Sequence, residues 1–190
     1  MAIIEKSDAR KAALIARSDA WAQHKDAGQR LVSMFPDALW PPINCIVASY
    51  YPIGSEIDPR PLAETFMCEQ VKIGLPVLAG PNLPVTFRRW SPGDVLERGP
   101  FGVLEPTAEA RTVVPDILLV PLVAADRAGG RLGYGKGYYD RTLSGLRAAG
   151  SITAIGLAYD EQIMDGIAIE AHDQPLDWII TPTQVINIGS

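Results

Sequence analysis

Residues 117–141 read ILLVPLVAADRAGGRLGYGKGYYDR: an apolar run, a glycine loop and the start of a helical pattern. Ile117–Val123 is apolar at both parities, as a strand buried on both faces requires, and such strands occupy the middle of parallel sheets. The thirteen residues from Gly129 hold five glycines, three tyrosines, three cations and one carboxylate. Tyr138–Ala148 then takes helical spacing. Strand, glycine loop and helix make the unit from which open α/β sheets are built, and ligand crevices in such sheets lie beyond the carboxyl ends of the strands.

The flanking sequence continues the alternation. On the C-terminal side Ser151–Tyr159 reads as a strand, with Trp178–Thr181 and Val185–Ile188 supplying one or two more. On the N-terminal side Ile43–Tyr51 (INCIVASYY) is a β-branched and aromatic run ended by Pro52 and Gly54. A helix is predicted over Pro61–Ile73, stopped by Gly74, and short strands over Pro76–Ala79 and Val85–Trp90. Ser91–Pro115 is rich in Pro and Gly with little periodicity, which predicts a long irregular excursion of the kind that often carries a binding surface. Ile3–Phe35 is rich in Ala and charge and predicts one or two helices, with a break at Ser18-Asp19, a plausible N-cap. The expectation is a single α/β domain over residues 1–190, with N-terminal helices over about 3–35 and a core over about 43–190. Its sheet is open and mostly parallel, flanked by helices in Rossmann-like layers.

Composition bounds the function. Of 190 residues 47% are apolar and 21% charged, an ordinary folded composition. The longest apolar run, Ile117–Ala125, is strand-sized and interrupted by Pro121, and the N-terminus turns charged without a signal peptide's apolar region. A soluble, cytoplasmic protein with no membrane partner is expected. The net charge of -5 argues against nucleic acid as a partner. Between Arg127 and Arg141, however, four cations (Arg127, Arg131, Lys136, Arg141) face Asp140, a local balance suited to a small anion. Cys45 and Cys68 lie far from any metal-ligand spacing and read as buried small hydrophobes.

Glycines let a backbone approach a ligand closely, and N–H groups ahead of a helix form an anion nest. Gly130–Lys136 matches GxxxxGK, but the next residue is Gly137, where a phosphate-binding P-loop needs Ser or Thr for magnesium. Gly133, Gly135 and Gly137 give GxGxG, not the dinucleotide pattern GxGxxG. The loop suits phosphate yet belongs to neither common class.

GRLGYGKGYYDR closely resembles the signature of the 5-formyltetrahydrofolate cyclo-ligases, also called methenyltetrahydrofolate synthetases, in which an Asp-x-x-Gly turn precedes it, as Asp126-Arg127-Ala128-Gly129 does here. The resemblance extends along the chain. Lys6 and Arg10 have the four-residue spacing of the family's ATP-contacting pair. Tyr51-Pro-Ile-Gly-Ser-Glu56-Ile57 resembles its folate-contacting segment, and Ala171-His172-Asp173-Gln-Pro-Leu-Asp177 its His-Asp turn.

The resemblance implies ATP-dependent cyclisation of 5-formyltetrahydrofolate to 5,10-methenyltetrahydrofolate with release of ADP and phosphate. It implies that Lys6, Arg10, Arg131, Leu132, Gly133, Tyr134, Gly135, Lys136, Gly137, Tyr138 and Tyr139 bind ATP. Tyr51 and Glu56, with Tyr134, Gly135, Lys136, Gly137 and Tyr138, would hold the folate. Lys136, Arg131 and Tyr138 would serve the chemistry, and Asp140 and Asp173 would hold Mg²⁺, for which carboxylates are suitable hard donors. The partners implied are small molecules, on a monomer or weak homo-oligomer. Without the resemblance, Lys6 and Arg10 read as a solvated helix face, Asp173 as a cap or turn residue, Tyr51 and Glu56 as the end of a strand, His172 as an orienting or surface residue and His24 as a surface group. Two other classes compete: a nicotinamide-dependent oxidoreductase, for which Asp160 is the acid at the end of the following strand, and a non-catalytic nucleotide-binding module.

Overall fold

The computed structural model describes residues 6–189, and the predicted helical start at residues 3–5 lies outside them. Helix α1 spans Lys6–Gln23 and α2 spans Ala27–Met34. The break falls after Gln23 and not at Ser18-Asp19, because both residues are exposed and leave undisturbed the face on which Ala13, Arg17 and Ala20 are buried. Strand β1 (Ile46–Ala48) leads to α3 (Arg60–Cys68), with a proline in its first turn, where a missing N–H is harmless. Strands β2 (Lys72–Leu78) and β3 (Val85–Trp90) form an antiparallel pair.

The helix predicted over 61–73 is therefore too long, and Gly74 lies inside β2. Gln70 supplies the left-handed residue after α3 (φ 62°), the role that Gly74 had been given. Gly74 serves packing instead: a Cβ there would stand 3.0 Å from Val113 Cγ2. The stretch 91–115 is also more ordered than expected. Strands β4 (Leu96–Arg98) and β5 (Leu104–Pro106) pair with each other, and β6 (Thr112–Val113) adds to β3. Strands of two or three residues leave no periodicity to read.

The chain continues through β7 (Ile117–Pro121), β8 (Ala124–Asp126), β9 (Arg131–Leu132), α4 (Tyr138–Ala149), β10 (Thr153–Leu157), β11 (Ile163–Met164), β12 (Trp178–Ile180) and β13 (Val185–Asn187). The main sheet has the order β13-β12-β10-β7-β1-β2-β3-β6. Its five central strands, β12 to β2, pair in parallel, and the antiparallel pairs lie at its edges. Alternation along β7 explains its apolar composition. Leu119 joins the core that α2 and α3 cover through Leu31, Leu62 and Phe66, whereas Leu118 and Val120 join the core closed by Leu143 of α4. From β1 the chain moves through α3 to β2 on one side, and from β7 through α4 to β10 on the other. The order reverses between β1 and β7, and the carboxyl ends of those two strands frame a crevice. Cys45 is buried as expected, but Cys68 is exposed, because it ends α3 on its outer side. Among the described residues no helix is long and apolar enough to cross a membrane.

Candidate active site

A cavity of about 620 Å³ opens at this switch point. Tyr50 and Tyr51 enter it from the end of β1, Pro121 from the end of β7, and Pro76 and Leu78 from the part of β2 that outruns β1. Phe101 and Val103 reach it from the turn between β4 and β5, so part of the 91–115 excursion does line the site.

The glycine-rich stretch does two separate jobs. Gly129 and Gly130 turn the β8–β9 hairpin, pinned by the buried Asp126, whose Oδ1 accepts from Ala128 N (3.0 Å) and Gly130 N (2.8 Å) and whose Oδ2 accepts from Ile167 N (2.7 Å). Residues 131–140 then wrap the cavity. Gly137 takes left-handed φ of 64° at the N-cap of α4, which turns the chain from the loop into the helix.

The residues that the resemblance assigns to ligands all line this one space: Lys6, Arg10, Tyr51, Glu56, Arg131, Tyr134, Lys136, Tyr138, Tyr139, Asp140 and Asp173, with Leu132, Gly133, Gly135 and Gly137. The local charge balance read from the sequence needs correction. Arg127 turns away to Gln184 Oε1, and Arg141 folds back to donate to Lys136 O (2.7 Å). Their places are taken by Lys6 and Arg10 of α1. Arg10 Nε donates to Gly133 O (2.7 Å), and Lys6 Nζ contacts Glu170 Oε1 (2.7 Å) and Asp173 Oδ2 (3.0 Å). Partial burial works against the Lys6 ammonium, but its two carboxylate partners outweigh it and hold its pKa above the ordinary lysine value. Burial likewise opposes the Asp173 charge, and the Glu170 N–H, Lys6 and His172 overcome it to hold that carboxyl low.

Arg131 is buried against Asp140, Nη2 to Oδ1 at 2.5 Å, and donates through Nη1 to Gln174 O. Burial pulls its guanidinium below the usual value, with Asp140 and Asp173 opposing. Gln174 N donates to Asp140 Oδ1 (3.1 Å), so the backbone beside Asp173 is bonded to Asp140, and the two acids sit in one neighbourhood. Lys136 is exposed on the loop. Glu56, only 5% exposed, also lines the cavity. Its Oε2 accepts from Ile53 N (2.8 Å), and its Oε1 accepts from the Tyr134 hydroxyl (3.1 Å). Burial pushes this carboxyl above the usual glutamate range against the opposing effects of Ile53 N–H, Arg17 and Tyr134. Tyr51 is half-buried, and its hydroxyl accepts from Arg60 Nη1 (3.2 Å).

Three contributors were missed in the sequence. Glu170 pairs with Lys6, Phe101 lines the cavity, and Arg17 reaches Tyr134 and Glu56 from behind. Arg17 had a signal: it follows Lys6 and Arg10 at spacings of eleven and seven, which returns it to the same helical face. Asp160, the acid a dinucleotide reading needs, does not line the cavity, and its Oδ1 is consumed by Thr181, Thr183 and Gln184.

Known proteins share this arrangement of chain. A solution structure of the 5,10-methenyltetrahydrofolate synthetase of Aquifex aeolicus superposes with a TM-score of 0.78 at 29% identity, covering 98% of this chain and 94% of that one. A 5-formyltetrahydrofolate cyclo-ligase of Escherichia coli is 32% identical over 172 residues, 86% of this chain and 92% of its own length. The corresponding enzyme of Mycolicibacterium smegmatis is 36% identical over 148 residues, 74% of this chain and 75% of its own length. The profile of the 5-formyltetrahydrofolate cyclo-ligase family matches residues 5–182, and the chain belongs to that family.

Proposed function

We propose that the cavity binds 5-formyltetrahydrofolate and ATP side by side and closes the formyl group into the methenyl bridge, with release of ADP and phosphate. The observation that carries this reading is the pairing, in one space, of a buried carboxylate with a glycine loop before a helix: Glu56 and residues 133–137, joined by the Tyr134 hydroxyl. A buried acceptor suits the amino and ring N–H donors of a pterin, and the loop suits a polyphosphate.

A formamide is a poor electrophile, and its oxygen is a poor leaving group. Its oxygen attacks the γ-phosphorus, and ADP departs with the electrons of the broken P–O bond. N10 then attacks the formyl carbon and loses its proton, and the C–O bond breaks with its electrons on phosphate. Such a sequence asks the protein for alignment and charge compensation. Lys136, exposed on the loop, and Arg131, fixed by Asp140, offset the phosphate charge; Arg10 and Lys6 extend that field from α1. Tyr138 lies at the first turn of α4 and lines the cavity beside the loop. Glu56 and Tyr51 orient the pterin, so that N10 and the formyl carbon stay aligned.

The acids also fit a magnesium ion. Asp140 and Asp173 are neighbouring hard donors, each with one oxygen outside the hydrogen bonds described above, and magnesium carried by phosphates is usually held by one or two carboxylates. Among the described residues no group of three or more His, Cys, Asp or Glu side chains is placed to hold a metal ion. Bound there, magnesium would neutralise developing phosphate charge. The test is direct: purified protein given MgATP and 5-formyltetrahydrofolate is expected to form the methenyl chromophore with one ADP per turnover. ADP formation without methenyl product would overturn the reading.

A further inference from the structure

We propose that Arg17 is a positioning residue of this site: its buried guanidinium fixes the Glu56 carboxylate and the Tyr134 hydroxyl together, coupling the folate end of the cavity to the glycine loop. The inference rests on the reading of the cavity given above.

Arg17 lies in the middle of α1, 4% exposed, and is absent from the cavity wall. Its planar fork meets three separate segments. Nε donates to Ser55 Oγ (3.2 Å), Nη1 to Leu122 O (3.4 Å) and Nη2 to the Tyr134 hydroxyl (2.8 Å). Nη1 also stands 3.8 Å from Glu56 Oε1, and the guanidinium carbon lies 5.5 Å from the centre of the Tyr134 ring. A tyrosine hydroxyl has one proton. Because it accepts from Arg17, that proton is directed to Glu56 Oε1, at 3.1 Å. Tyr134 belongs to the glycine loop and Glu56 to the segment after β1, so one guanidinium sets the distance between the two binding ends.

The same group governs the charge of Glu56. The titratable groups facing that carboxylate are Arg17 from α1, Tyr134 from the loop, Tyr50 from the end of β1 and Tyr139 from α4. Burial raises all three tyrosines, which stay neutral, so Arg17 is the cation that opposes protonation of Glu56 among the described residues. Lysine in its place would keep the charge but lose the fork, and leucine would lose both.

The experiment is steady-state kinetics between about pH 5.5 and 8.5 on wild type, Arg17→Lys, Arg17→Leu, Glu56→Gln and the Arg17→Lys/Glu56→Gln double variant. Arg17→Lys is expected to raise the folate KM about tenfold while the ATP KM moves less than about twofold, with the acid limb of folate kcat/KM unmoved. Arg17→Leu is expected to shift that limb to higher pH as well. In the Glu56→Gln background the lysine substitution is expected to add less than about twofold, because the group it acts through is gone. A folded Arg17→Lys with wild-type folate KM, or an equal loss with and without Glu56, would overturn the proposal. Should Arg17→Leu not fold, the lysine and double variants decide alone. Wild-type turnover in the same assay separates the two levels, since its absence would remove the reading of the cavity and not merely the role of Arg17.

Discussion

Two residues that line the cavity carry distinct consequences. Lys136 is exposed on the loop and contributes nothing to the buried cores, so its removal costs no packing, and under the proposed reading it costs a ligand contact. Lys136→Ala is expected to keep its melting temperature within about 1 °C, as surface substitutions do. Its kcat/KM for ATP is expected to fall about 10–100-fold, the worth of one charge-assisted bond of about 1.5–3 kcal/mol. Parallel melting and kinetic measurements check this, and equal losses in both would make the lysine structural. Glu56 is the converse case, a buried carboxylate whose charge the fold disfavours. Because burial holds its carboxyl above the ordinary range, the folded chain binds that proton more tightly than the unfolded chain. The resulting stabilisation is full below the unfolded value of about 4.3 and is lost as pH rises through the folded value. Glu56→Gln removes this penalty, and Arg17 keeps Ser55, Leu122 O and Tyr134 as acceptors. The variant is therefore expected to melt higher than wild type at pH 8, with the gain shrinking at pH 5. Its folate KM is expected to rise about tenfold with the ATP KM nearly unchanged. Melting curves at the two pH values and the two KM values decide; a gain in stability that grows toward pH 5 would reverse the assignment.

At the scale of elements, the loop and α4 act as one piece. Gly137 takes its left-handed conformation where the loop enters the helix, and a Cβ there would stand 2.7 Å from Arg141 Nη1, whose partner nitrogen holds Lys136 O. Gly137→Ala is expected to lose about 1–2 kcal/mol from backbone strain, and to displace Arg141 and with it the carbonyl of Lys136. Gly133→Ala is the control, because its Cβ would meet nothing within 4 Å and no positive φ is required. Thermal melts of the two variants are expected to differ by about 2–8 °C, and identical melts would mean that the turn does not depend on glycine. This unit was the most legible part of the sequence, since β7, the glycines and the apolar spacing of α4 are local signals. Where an element is set by distant partners, the sequence was silent or misleading. Gly74 resembled a helix stop because Val113, which packs over it, is 39 positions away, and β4, β5 and β6 are too short to show alternation. In the site, Lys6, Arg10 and Glu56 were reached through family resemblance; their own spacing said only that a helix face was charged. Glu170 gave no local sign, and Phe101 was covered only by the general expectation that the 91–115 excursion carries a binding surface. Arg17 shared the face of Lys6 and Arg10, but its burial follows from tertiary contacts with Ser55, Leu122 and Tyr134.

For the molecule as a whole, the reversal of strand order between β1 and β7 gathers into one crevice segments that are far apart in sequence. Helix α1 binds this assembly along its length: Lys6 to residues 170–173, Arg10 to the glycine loop, Arg17 to Tyr134 and Glu56. The segment 170–174 joins α1 to β9 and α4, since its Asp173 holds Lys6 while Gln174 is bonded to Asp140, Arg131 and Arg147. The proposed metal site exists only because these distant segments meet, Asp140 arriving on α4 and Asp173 on the later segment. The loop has Gly137 where other phosphate loops carry a hydroxyl for magnesium, so oxygen donors from these two acids are the available substitutes. Asp140→Asn and Asp173→Asn keep shape and acceptor oxygens, and both variants are expected to fold. Each is expected to lower turnover and raise the magnesium concentration for half-maximal rate, by about tenfold for Asp140 and less for Asp173. Asp140 is the more severe because it also fixes Arg131 beside the loop, whereas Asp173 Oδ2 is already shared between Lys6 and Glu170 N. Magnesium titrations of turnover for the three proteins at saturating ATP measure the effect. An unchanged magnesium dependence in both variants would mean that the nucleotide carries its metal on phosphates and water alone, leaving Asp140 and Asp173 as anchors for Arg131 and Lys6.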